Sequence, residues 1–197
     1  MLIKKIIIWL LSLVPLVACI VLGLLGQLGP DPGKELALYL GHISFSYLLL
    51  VLAIPVLKKV RCMSWFGRCS RLLGLFAFFY VSLHLMAYAA FFVGFRLDLL
   101  VTDLLERPYV YVGFSGWVLL LVLVCTSNQW MQRKLKRHWK SLHRLIYAVI
   151  ILALCHVLWL ARSDIQWFVL YLSLFSGLVV VKFVLPWVLV LYKKCTD

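Results

Sequence analysis

Two histidines lie inside long apolar stretches of this sequence, and their type and placement could support redox chemistry. His84 is found in "YVSLHLMAYAA" and His156 in "ILALCHVLWLA". Ionisable residues within membrane segments are rare and indicate a functional site by default. Because neutral imidazole is a good iron ligand, two histidines at similar depth on two helices could hold a haem iron from both faces.

A structural role is the alternative, since an intramembrane histidine can simply hydrogen-bond a serine or a carbonyl of a neighbouring helix. Matched depth and flanking aromatic residues favour axial ligation for His84 and His156. Tyr80 and Tyr88 lie four residues before and after His84, on the same face of a helix. Such spacing could line a pocket, but it is also typical of ordinary packing.

His143 is a third candidate, at the inner edge of the segment that carries His156. It precedes His156 by 13 residues, which is about 20 Å along an ideal helix and suits a second haem stacked across the membrane. The same spacing turns the two rings some 140° apart on an ideal helix. Ser70 and Arg71 stand where a matching histidine would be needed. His143 could therefore be an inner haem ligand, a contact to a propionate or a quinone, or an interfacial residue.

The other intramembrane or basic-loop candidates are weaker. His138 lies within "RKLKRHWK" and is predicted to be solvated among cations. His42 is predicted to be interfacial, at the outer start of the second apolar segment. Lys182 lies near the inner end of the sixth segment, where snorkelling to the headgroups is the ordinary expectation.

The elements that must position these residues are membrane-spanning helices. Of the 197 residues, 65% are hydrophobic and only 14% are charged. A helix needs about 20 apolar residues to cross the hydrocarbon, where irregular backbone is not tolerated. Six segments meet this need: 6–28, 36–57, 72–93, 108–126, 142–161 and 165–191. The sequence predicts an all-α, six-transmembrane-helix bundle, with residues 1–197 as a single domain, no usable internal repeat and an uncleaved first helix.

The basic residues predict the orientation of this bundle. One side carries 15 of the 20: Lys4, Lys5, Lys58, Lys59, Arg61, Arg68, Arg71, Arg133, Lys134, Lys136, Arg137, Lys140, Arg144, Lys193 and Lys194. The positive-inside rule places that side and both termini in the cytoplasm, as expected for a multi-pass protein of a bacterial inner membrane. Six of the seven acidic residues lie on the other side. The net charge of +13 is thereby explained by topology and membrane lipid rather than by a nucleic-acid partner.

The sequence lacks the motifs of several enzyme classes. The sequence has no C-x-x-C-H for covalent haem, no dinucleotide fingerprint, no Walker A sequence and no zinc motif. A protein of this kind that moves electrons would need a separate donor and a separate acceptor.

Several stretches resemble, in order and spacing, the MsrQ family of the ferric-reductase-like transmembrane superfamily. They are "GPDPGKEL", "RLLGLFAF…SLHLMAY", "ERPYVYVGFSGW" and "CTSNQWMQRKL…WKSLHRLIY…CHVLW", within residues 30–159. The resemblance implies a b-type haem, with His84, His143 and His156 at the family's ligand positions. It also implies electrons from the quinone pool or a flavin reductase, with FMN as a cofactor. The implied acceptor is a periplasmic molybdopterin catalytic subunit that reduces oxidised methionine in envelope proteins.

The leading hypothesis is therefore a redox subunit that transfers electrons outward and does not itself reduce the substrate. The acidic segment 97–107 could dock the outer partner electrostatically. One alternative is another membrane ferric or b-type cytochrome reductase with a different acceptor. Another is a non-redox transporter or scaffold, although the polar midplane residues typical of transporters are largely lacking.

Overall fold

The computed structural model describes residues 2–58, 65, 67, 69–160 and 165–184. Nine α-helices lie in these ranges: α1 Leu2–Leu24, α2 Pro32–Leu57, α3 Ser70–Phe91, α4 Leu97–Glu106, α5 Pro108–Cys125, α6 Gln129–Leu135, α7 Arg137–Leu142, α8 Leu145–Leu160 and α9 Ile165–Val179. A π-helical segment, Val180–Val184, continues α9. Of the charged residues assigned to a side, Lys59, Arg61, Arg68, Arg162, Asp164, Lys193 and Lys194 lie outside the described residues.

The prediction of six spanning helices is confirmed. Six spans are long and apolar enough to cross a membrane: α1 from Lys5, α2, α3, α5, α7 together with α8, and α9 with its π-helical segment. Two residues explain where α2 begins. Asp31 caps the helix by accepting a hydrogen bond from the Lys34 N–H at 3.1 Å, and Pro32 occupies the first turn. We call the side of α6 and α7 the inner side and that of α4 the outer side, following the predicted orientation.

Two helical hairpins form the centre of the bundle. One consists of α2 and α3 and the other of α5 and α8, and they meet where α3 packs on α5 and α2 packs on α8. The buried core between them is apolar: Phe45, Leu48, Leu49, Leu52, Ala77, Leu120, Leu123, Val149, Ile150, Leu154 and Tyr171. The hairpins therefore determine how the histidines of α3 and α8 face each other.

The outermost helices are held by fewer contacts. On one flank, α1 is fixed by two tyrosines that donate to its backbone: Tyr80 to the Ser12 carbonyl at 2.5 Å and Tyr39 to the Pro15 carbonyl at 3.0 Å. On the other flank, α9 packs on α2 and α8. Many apolar side chains of α1 and α9 are exposed, as expected for surfaces that face lipid.

Two features differ from the sequence prediction. The short helices α4, α6 and α7 were not predicted, because hydropathy detects spans and not short helices at the interface. The fifth spanning segment is interrupted at His143, which ends α7, and α8 begins only at Leu145. At this break the Tyr147 N–H donates to the Arg144 carbonyl three residues back, so the backbone tightens instead of continuing as an α-helix.

Candidate functional site

His84 of α3 and His156 of α8 come together in the outer half of the bundle, as the sequence predicts. Their ring centroids are 6.2 Å apart and the ring planes are nearly perpendicular, at 87°. Seven residues separate His84 from the outer end of α3, and four separate His156 from the outer end of α8. The two imidazoles therefore face each other at a similar depth, from helices of different hairpins.

Each of these imidazoles is oriented by a backbone carbonyl of the other helix in its hairpin. Nδ1 of His84 lies 2.8 Å from the Ala37 carbonyl on α2, and Nδ1 of His156 lies 2.7 Å from the Tyr109 carbonyl on α5. Because a carbonyl only accepts, Nδ1 carries the proton in both rings and Nε2 keeps its lone pair. Within the part of the chain that the structure describes, neither Nε2 atom has a hydrogen-bond partner.

Glycines let the helices approach these rings. A Cβ placed on Gly113 would lie 2.9 Å from Nδ1 and 3.0 Å from Cε1 of His156, which is closer than real Cβ contacts allow. A Cβ on Gly41 would lie 3.4 Å from both Nδ1 and Cε1 of His84, an ordinary contact distance. Each glycine stands four residues after the carbonyl that holds the ring, so the same turn of helix supplies both the acceptor and the space.

The two hairpins form an internal repeat that the sequence prediction missed. Each carbonyl precedes its histidine by 47 residues. A shift of 72 residues (109 minus 37, and 156 minus 84) therefore aligns carbonyl, glycine and histidine of one hairpin with those of the other. Few other identities support the alignment, and the acceptors Ala37 and Tyr109 share no side-chain type. At the inner end the same shift places Arg71 opposite His143 in the alignment.

The arrangement fits an axial pair for haem. An iron atom between two imidazoles, about 2 Å from each Nε2, requires ring centroids roughly 6 Å apart, which agrees with the separation of 6.2 Å. Metal-bound histidines usually donate their other N–H to a carbonyl or a carboxylate, as both rings do here. Both side chains also retain some uncovered surface although apolar helices surround them.

His143 lies elsewhere, in a cleft of about 260 Å³ between the inner ends of the two hairpins. Its ring stacks on Trp139 with centroids 4.1 Å apart, and its Nε2 is 3.4 Å from the Thr126 hydroxyl. Polar or basic residues lining the cleft include Ser70, Arg71, Ser127, Gln132, Trp139 and His143. The residues that the sequence placed opposite His143, Ser70 and Arg71, do share its cleft, and no second histidine is among the lining residues.

The remaining candidates take other positions. His138 is exposed on α7, as predicted. The prediction that His42 starts the second helix is wrong, because α2 begins ten residues earlier at Pro32, and the ring is partly buried. Nδ1 of His42 is 2.6 Å from the Tyr171 hydroxyl of α9. Lys182, in the π-helical segment, donates to the Tyr147 hydroxyl at 2.5 Å, which sequence reasoning did not predict.

A family model and several curated relatives match this chain. The model of the ferric reductase like transmembrane component matches residues 40–154, a range that includes His84 and His143 and ends two residues before His156. The chain is therefore a member of the ferric-reductase-like transmembrane class of proteins. No solved structure matches it.

Curated relatives define the family more narrowly. A protein of Yersinia pseudotuberculosis serotype O:1b (strain IP 31758) is 35% identical over 191 residues, covering 96% of this chain and 93% of the relative. A protein of Yersinia pestis (strain Pestoides F) is also 35% identical, with 96% and 92% covered. Both carry the name protein-methionine-sulfoxide reductase heme-binding subunit MsrQ. The chain belongs to the MsrQ family.

Proposed function

We propose that this chain is the haem b electron-transfer subunit of a protein-methionine-sulfoxide reductase system in a bacterial inner membrane. It would pass electrons outward from a quinol or a reduced flavin to a periplasmic molybdopterin catalytic subunit. The observation that carries the proposal is the facing pair His84 and His156, with a separation of 6.2 Å and both Nδ1 atoms engaged by carbonyls. The relatives named as heme-binding subunits support it.

The residues around the pair determine how it would hold the haem. The carbonyls of Ala37 and Tyr109 keep His84 and His156 in the tautomer that leaves Nε2 for iron, and they raise the basicity of both ligands. The apolar core below the pair excludes water, and this affects the reduction potential. A haem b bound there supplies one-electron transfer.

The inner cleft is the proposed donor site. The Arg71 guanidinium carries only hydrogen-bond donors and so does not ligate iron, but it suits a phosphate or another oxyanion. His143, Ser70 and Gln132 add polar groups that suit a carbonyl or hydroxyl oxygen. We therefore propose that His143 binds the donor, a quinol or FMN, rather than ligating a second haem. FMN rests on the family resemblance alone.

The remaining expectations complete the proposal. Residues 1–197 would act as one membrane domain, with both termini and the basic helices α6 and α7 on the cytoplasmic side. This orientation puts the inner cleft near a cytoplasmic or quinone donor and the histidine pair near a periplasmic acceptor.

Purification in detergent with a pyridine haemochrome count tests the haem site. The wild type should show the reduced-minus-oxidised spectrum of a b-type haem, and His84→Ala and His156→Ala should each lose most of it. His138→Ala is the matched control, because that histidine is exposed and should be dispensable. A folded but colourless wild type, or full haem content in both variants, would refute the assignment.

A second measurement tests the donor site. His143→Ala should keep its haem, while reduction by a quinol analogue or reduced FMN becomes slower. A parallel loss of haem in this variant would instead identify His143 as a ligand.

A further inference from the structure

A single carboxylate joins the outer ends of the structures that hold the two histidines. Asp103 lies on α4, the short outer helix. The Tyr88 hydroxyl donates to its Oδ2, and Tyr88 stands one helical turn beyond His84 on α3. One side of Asp103 is therefore connected to the helix that presents the first imidazole.

The other oxygen of Asp103 is connected to the second imidazole. Oδ1 lies 2.9 Å from Nε of Arg107, the residue just before α5. Nη1 of Arg107 donates to the Tyr109 hydroxyl at 3.1 Å, and the Tyr109 carbonyl accepts from His156 at 2.7 Å. Polar contacts thus connect α3 through Asp103 and Arg107 to the Tyr109 side chain, and the backbone carbonyl of the same Tyr109 holds the ring of His156.

Asp98, on the same helix, is a useful comparison because its carboxylate makes a local ion pair and does not link different helices. Its side chain is 63% exposed, against 18% for Asp103. Asp98 pairs with Arg96, two residues away, at 2.6 Å, and this neighbour lowers its pKa. Asp103 instead is largely covered and links three elements, α3, α4 and the start of α5, which a merely solubilising charge would not do.

We infer that Asp103 is a positioning residue for the haem site, holding α3 and the first turn of α5 at the spacing that the axial pair requires. This inference rests on the proposed haem ligation by His84 and His156. Its physical basis is that loss of the carboxylate frees Tyr88 and Arg107 together, so the Tyr109 carbonyl is no longer fixed relative to α3. The His156 ring then loses its defined orientation, and one axial bond weakens.

The experiment compares Asp103→Asn, Tyr88→Phe and the control Asp98→Asn in the full-length protein purified with haem. The readouts are the low-spin and high-spin signals in absorption and electron paramagnetic resonance, and the rate of haem transfer to apomyoglobin. Asp103→Asn should lose haem several-fold faster, by up to the roughly tenfold effect of removing a group that bonds the ligand directly, and should gain a high-spin fraction. Tyr88→Phe should shift both readouts less in the same direction, and Asp98→Asn should match the wild type.

Other results would overturn the inference. One is an Asp103→Asn protein with the spin state and haem-loss rate of the wild type, and another is an equal effect of Asp98→Asn. If the Asp103→Asn protein does not accumulate, the same measurements are made on Tyr88→Phe and Arg107→Gln. A wild-type spin state and haem-loss rate in both variants would refute the positioning role. A failure of the underlying proposal would look different, because the wild type itself would then lack haem or bind it independently of His84 and His156.

Discussion

The substitution Gly113→Ala tests whether the approach of α5 to His156 is needed for ligand geometry. The added methyl carbon would lie 2.9 Å from Nδ1 of His156, whereas ordinary contacts begin at 3.4 Å. The ring or the helix must therefore move by about 0.5 Å, which is 3.4 minus 2.9. The hydrogen bond to the Tyr109 carbonyl, 2.7 Å long, lies on the same turn and would be distorted by this movement.

Gly113→Ala should affect the stability of the fold and the affinity for haem differently. Replacing glycine by alanine within a helix favours the helix by up to about 1 kcal/mol, and a lost or weakened hydrogen bond costs about 0.5–1.5 kcal/mol. Overall stability should therefore change little. Haem affinity should fall by about tenfold, since the displaced hydrogen bond orients an axial ligand.

Gly41→Ala provides the matched comparison in the other hairpin. Its methyl carbon would meet His84 at 3.4 Å, so the ring needs little or no adjustment and haem retention should stay close to that of the wild type. Both variants are assayed by haem stoichiometry, spectra and haem loss in detergent. Equal retention in Gly113→Ala and the wild type, or a larger loss in Gly41→Ala, would show that the glycines do not control the rings.

Two further substitutions test contacts that hold the outermost helices. Tyr171→Phe removes the hydrogen bond to His42 and should lower the free energy of unfolding by about 1 kcal/mol while leaving the haem spectrum unchanged; a changed spectrum would contradict the structural role of this pair. Tyr80→Phe removes the hydrogen bond to the Ser12 carbonyl of α1 and should cost a similar free energy, with more rapid proteolysis of α1 than in the wild type. Unchanged thermal stability and proteolysis would contradict that attachment.

The spanning helices could be predicted because each depends on one property, the length of its apolar segment. Their bounds shifted where a local feature intervened, as with the Asp31 cap and Pro32 at the start of α2. The interruption at His143 was not predicted, since the predicted span begins only at Leu142 and the basic residues before it give no apolar pattern that would reveal helix α7. The amphipathic helix α4 was read only as an acidic segment, because hydropathy over a long window averages out a ten-residue helix.

The histidine pair could be predicted because imidazoles are conspicuous among apolar residues. The groups that orient the two rings could not be predicted, since both hydrogen-bond acceptors are backbone carbonyls and every residue type has a backbone carbonyl. The equal spacing of 47 residues becomes visible only when the hydrogen bonds identify Ala37 and Tyr109 as partners. The glycines, four residues later in each hairpin, were the one sequence signal that could have revealed the repeat.

The repeat gives the proposed function a physical direction across the membrane. At the outer end both hairpins keep the same unit of carbonyl, glycine and histidine, so two neutral imidazoles are available to a permanently held group. At the inner end the aligned positions differ, with Arg71 in one hairpin and His143 in the other. A guanidinium carries only hydrogen-bond donors and cannot complete an imidazole pair, but beside a histidine and an open cleft it suits a molecule that binds, reacts and leaves. The two ends of the bundle would thus perform different tasks, because the aligned inner positions of the two hairpins carry different side chains.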